Sequence, residues 1–87
     1  MKIKDNFILR EIAGSYVVVP VGDLSLDFSG VITLNETGAF LFERLQKGAE
    51  REELLQALLE EYNVTPEKAA ADLDIFLKKV SDADVLE

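Results

Sequence analysis

Phe28-Ser29-Gly30-Val31-Ile32-Thr33-Leu34-Asn35-Glu36-Thr37-Gly38 is the stretch at which this 87-residue chain changes character. Upstream of it, apolar residues come in short β-branched runs; downstream, they recur at helical spacing. Val31-Ile32-Thr33-Leu34 suits a pleated surface and predicts a strand, from about Ser29 to Leu34. Asn35 then has the side-chain carbonyl that a helix N-cap offers to the free N–H groups of the first turn. Period two places Ile32 and Leu34 on one face and Val31 and Thr33 on the other. The larger pair leads into the helix and is assigned to the core.

Upstream, residues 1–6 are polar and expected to be a loose lead-in. Phe7 to Ile12 and Tyr16 to Val21 flank the turn signal Ala13-Gly14-Ser15, so the pair predicts a β-hairpin. Pro20 has no N–H for a ladder and belongs at an edge or a strand end. Gly22 to Asp27 is expected to be a loop.

Downstream, a first helix is predicted from Glu36 to about Gln46, with Leu41, Phe42 and Leu45 as its apolar stripe and Phe40 on a flank. Gly38 in its first turn costs roughly 1 kcal/mol relative to alanine, which a close approach to a neighbouring strand would offset. Lys47-Gly48 is a stop signal. A second helix is predicted over Arg51 to Tyr62, with Leu54, Leu55, Leu58, Leu59 and Tyr62 on one side. Thr65-Pro66-Glu67 opens a third with a hydroxyl cap, a proline at the first position and an acid in the first turn. Ala69, Leu73, Phe76, Leu77 and Val80 form its stripe. Val85-Leu86 is expected to fold back after a turn at Asp82-Ala83-Asp84. Three strands followed by three helices, with no repeat or linker, predict one α+β domain over residues 1–87, its three-stranded antiparallel sheet beside a winged-helix-like helical layer.

Composition narrows the function. The sequence has no cysteine and no histidine, which removes the commonest general base, the usual nucleophile–base pairs and nearly all zinc chemistry. Asp72 and Asp74 flank Leu73 on different faces of a helix, the acids opening the second helix suit its positive end, and the glycines form no phosphate loop. No catalytic residue, metal ligand or cofactor is therefore expected. No apolar run approaches a membrane span or signal peptide, so the expected location is the cytoplasm. With 17 acids and 9 bases, the net charge is −8. From Glu50 onward, 11 acids face 4 bases. A phosphate-binding surface would carry the opposite balance, which counts against a winged-helix DNA-binding regulator. Recognition of a protein or peptide remains. An exposed sheet edge can accept an added strand from a partner, including a second copy of the chain, or it can be an edge with no occupant.

Tyr16-Val17-Val18-Val19-Pro20-Val21-Gly22, Gly30 to Ala39, Glu53-Leu54-Leu55 and Phe76-Leu77 together resemble the PqqD-like family, the precursor-peptide recognition elements of ribosomally made, modified peptides. Leu34-Asn35-Glu36-Thr37-Gly38-Ala39 is the most specific part; Phe42 stands where members often carry tryptophan. The resemblance implies a non-catalytic domain that binds the leader segment of a precursor peptide and presents it to a modifying enzyme, commonly a radical S-adenosylmethionine protein. It further implies that the leader pairs as an antiparallel strand on the third strand, beside the third helix. Carried onto this chain, the peptide-binding residues are Ser29, Gly30, Val31, Ile32, Thr33 and Leu34 on the edge, with Ala69, Asp72, Leu73 and Phe76 from the third helix. Some of that helical set must serve the core, Phe76 first among them. The acidity of the third helix leads to the expectation of a basic leader. A general adaptor with another client is the alternative.

Overall fold

The computed structural model describes residues 1–21 and 32–87. Its elements are β1 (Phe7–Ile12), β2 (Ser15–Pro20), β3 (Ile32–Leu34), α1 (Glu36–Lys47), α2 (Arg51–Glu61) and α3 (Pro66–Asp82). The sheet is antiparallel in the order β1-β2-β3. Three strands followed by three helices make an α+β fold, and the layout fits a winged-helix-like description. The expected loop over residues 22–27 and the strand residues Ser29, Gly30 and Val31 lie outside the described residues.

The hairpin between β1 and β2 closes at the pair Ile12↔Ser15, leaving only Ala13 and Gly14 in the turn. Their φ values of 52° and 83° are both positive, as a two-residue turn matched to strand twist requires. Ser15 therefore belongs to the strand. Pro20 ends β2 opposite Phe7, where its missing donor disturbs the ladder least.

Capping fixes the start of each outer helix. Asn35 Oδ1 accepts from the Gly38 N–H at 2.7 Å, and Thr65 Oγ1 accepts from the Lys68 N–H at 3.2 Å. A Cβ on Gly38 would stand 3.1 Å from the Leu34 Cβ. The first turn of α1 thus lies tight against the end of β3, the close approach that accounts for a glycine there. The core joins Phe7, Val18, Ile32 and Leu34 from the sheet to Leu41, Phe42 and Leu45 of α1, Leu54 and Leu58 of α2, and Ala69, Leu73, Phe76 and Val80 of α3.

The first residues are not a loose lead-in. Ile3 is 2% exposed and part of the core. Its N–H donates to the Leu45 carbonyl at 3.0 Å, and Ala49 N–H donates to the Met1 carbonyl at 2.8 Å. Ile3 also bridges Leu86 in antiparallel fashion, which seats Val85 in the core with no exposure. One isoleucine among polar residues has no periodicity to reveal it, so only tertiary packing shows that the segment is fixed.

Candidate functional site

The hairpin decides which backbone groups of β3 face outward. In an antiparallel ladder, each residue turns its N–H and C=O to the same side, and successive residues alternate. Ser15 closes the two-residue turn, so its polar groups face β1. Those of Val17 do the same, and those of Tyr16 and Val18 face β3. Val21 keeps the alternation, donating to the Asn6 carbonyl at 2.9 Å. Across β2 and β3, Tyr16 pairs with Leu34, Val17 with Thr33 and Val18 with Ile32. Leu34 and Ile32 therefore bond inward, while Thr33 turns both its N–H and its C=O to the open edge.

α3 runs beside that edge. Lys79 Nζ donates to the Thr33 carbonyl at 3.0 Å. Between the two elements lies a groove in two parts. A cavity of about 160 Å³ is lined by Leu34, Asn35, Thr37, Gly38, Leu41, Asp72, Ile75, Phe76 and Lys79. A wider hollow of about 650 Å³ continues along Ile32, Thr33, Ile75, Lys78, Lys79, Asp82 and Ala83. The first is close in size to an engineered cavity of about 150 Å³ that holds benzene, so it has room for one large apolar side chain. Ile75 lines both parts and is 67% exposed.

The sequence-predicted residues separate as follows. Ile32 and Leu34 face the core and also line the groove, while Thr33 is exposed on the opposite face of the strand. Phe76 is 5% exposed and forms part of the cavity floor; Asp72 is half-buried at its rim. Leu73 has no exposure and is a core residue. Ala69, 1% exposed, lines an adjoining hollow with Leu58, Tyr62 and Val64, which shares Asn35, Thr37 and Asp72 with the first cavity. Sequence reasoning missed Ile75 and Lys79. The signal was available: Asp72, Ile75, Lys79 and Asp82 follow i, i+3, i+7, i+10 spacing and form a second stripe along α3.

Charges in the groove are mostly paired along their own helix. Asp72 meets Lys68 at 3.4 Å and Asp82 meets Lys78 at 2.9 Å, while Asp74 turns away to Arg51 of α2 at 3.0 Å. Asp72, Asp74 and Asp82 thus each have a cation beside them, and Lys79 adds positive charge at the groove. On the other side of α1, Phe40 and Tyr62 meet edge to face at 5.6 Å, with the Arg44 guanidinium 4.8 Å from the Phe40 ring centre. Burial, reinforced by Glu36, pushes the Tyr62 phenol above its usual pKa, against a hydrogen bond from Thr37. Among the described residues no group of three histidine, cysteine or acidic side chains could hold a metal, and no helix is long and apolar enough to cross a membrane.

A short antiparallel sheet whose edge strand β3 runs beside a helix and a groove defines an α+β domain on a winged-helix-like frame. The model of the family coenzyme PQQ synthesis protein D (PqqD) matches residues 8–86, and the chain belongs to that family. Among solved structures, it resembles TbiB1 in complex with the TbiA(beta) leader peptide, at 26% identity and a TM-score of 0.77, over 100% of this chain and 95% of that one. It also shares its fold with a lasso peptide synthetase B1 complexed with the leader peptide, at 20% identity and a TM-score of 0.69, over 93% of this chain and 89% of that one. A comparison with curated proteins finds no match.

Proposed function

We propose that residues 1–87 form one non-catalytic recognition domain that binds the leader segment of a ribosomally made precursor peptide and presents it to a modifying enzyme. The leader adds as an antiparallel strand on β3 and lays side chains into the groove beside α3. Following the family resemblance, the receiving enzyme is a radical S-adenosylmethionine maturase and the setting is the cytoplasm. The observation that carries this reading is the outward-facing N–H and C=O of Thr33 beside a cavity that mixes apolar residues such as Leu41, Ile75 and Phe76 with polar ones. Membership of the PqqD family and likeness to TbiB1, which was solved with a leader peptide, support the choice of occupant. Ser29, Gly30 and Val31 extend the proposed edge in sequence, and Leu34, Asp72 and Phe76 supply its groove side.

Thr33→Pro tests the mode of binding. Its N–H is not part of the ladder to β2, so proline leaves the sheet bonds in place while removing an edge donor and blocking an incoming strand. The variant is expected to keep its circular dichroism and melting curve. Calorimetric titration with the leader of a precursor encoded beside this protein's gene should show at least about tenfold weaker binding, roughly the loss of one well-made hydrogen bond. Unchanged affinity in the folded variant would rule out pairing at Thr33.

A further inference from the structure

The Thr33 carbonyl is the one outward-facing acceptor of β3 among the described residues, and a lysine of α3 already occupies it. We propose that Lys79 is a displaceable cap on this edge: it yields the carbonyl to a peptide N–H and then takes a carboxylate from the bound peptide, so that the groove selects an apolar residue followed two positions later by an acidic one. This deepens the strand-addition reading and rests on it.

The register supplies the spacing. A peptide antiparallel to β3 places successive residues opposite Leu34, Thr33 and Ile32, in that order. The middle one exchanges both backbone bonds with Thr33 and turns its side chain the way Thr33 does, away from the core face. Its two neighbours turn toward α3. The residue opposite Leu34 projects to the cavity of about 160 Å³ formed with Leu41, Ile75 and Phe76. The residue opposite Ile32 projects to the wider hollow, where Lys78, Lys79 and Asp82 lie.

Charge supplies the sign. Lys78 and Asp82 satisfy each other at 2.9 Å, and Asp72 is held by Lys68. Lys79 alone of these groove-lining charges makes its recorded contact with a backbone carbonyl rather than an opposite charge. A hydrogen bond from an exposed ammonium is weak enough to exchange, because water and the peptide N–H replace it in kind. Once displaced, the ammonium remains tethered over the hollow, partly shielded from water by the bound strand. An acidic side chain there gains a charge-assisted bond, whereas a lysine or arginine meets like charge.

The test is selection of a displayed random-peptide library against the wild-type protein and against Lys79→Met, a surface change that keeps the helix. The wild-type pool is expected to be enriched in apolar–any–acidic peptides, and the Lys79→Met pool to keep the apolar position and lose the acidic one. For a selected peptide, changing its acid to glutamine should weaken binding to wild type roughly 3- to 10-fold and leave binding to Lys79→Met unchanged. In the free protein, the Thr33 carbonyl ¹³C resonance should move when Lys79 is replaced. Two pools of the same composition, both protecting the Thr33 amide from exchange, would overturn the role of Lys79 while leaving strand addition standing. Selected peptides that leave that amide unprotected, or a library that yields no binder, would defeat the strand-addition reading itself.

Discussion

Asn35 and Gly38 sit at the junction where β3 becomes α1, and each does a separate task there. The Asn35 amide oxygen satisfies the Gly38 N–H at 2.7 Å, while the missing Cβ of Gly38 lets the first turn lie against Leu34. Asn35→Ala removes the cap and should cost about 1 kcal/mol in urea unfolding, with an unchanged slope. Because Asn35 also lines the small cavity, the change should weaken peptide binding as well, by no more than the roughly 1 kcal/mol that the cap is worth. Thr33 differs in kind from these neighbours. Its side chain could be exchanged for another β-former with little effect, since the proposed role belongs to its backbone.

At the scale of elements, α3 carries two stripes on one helix. Of the expected stripe Ala69, Leu73, Phe76, Leu77 and Val80, the structure buries all but Leu77, which is half-buried; that stripe is plain in the sequence because core burial demands apolar residues. The second stripe, from Asp72 through Ile75 and Lys79 to Asp82, mixes charge with one isoleucine and has no composition to mark it. Its meaning depends on β3 lying alongside, a pairing between residues 46 positions apart. The terminal segment makes the same point. Ile3 is isolated among polar residues, yet it bonds to α1 and bridges Leu86. Ile3→Ala should therefore destabilise the protein by roughly 2–5 kcal/mol, as for a buried aliphatic side chain. Thermal melting would check this; a loss under about 0.5 kcal/mol would return the segment to the status of a loose lead-in.

Across the whole molecule, the net charge of −8 sets which partners can approach. Long-range attraction to nucleic acid is absent from such a field, whatever the likeness of the frame to a winged helix. Labelled duplex DNA is expected to show no anisotropy change at about 50 mM salt, a condition that exaggerates phosphate contacts; binding that fell steeply as salt rose would revive the regulator reading. The sequence by itself determined the order of elements, the hairpin turn, the caps and the core stripes, because these follow from local backbone preference and from periodic burial. The edge position of β3 was not among these, since a strand leading into a helix N-cap can stand anywhere in a sheet and only its pairing with β2 alone places it at the rim. Only the tertiary structure decided that Thr33 turns its polar groups outward, that Lys79 covers one of them, and that Ile75 borders the groove. Those facts depend on strand register and on how α3 docks, and both are set by contacts between residues far apart in the chain.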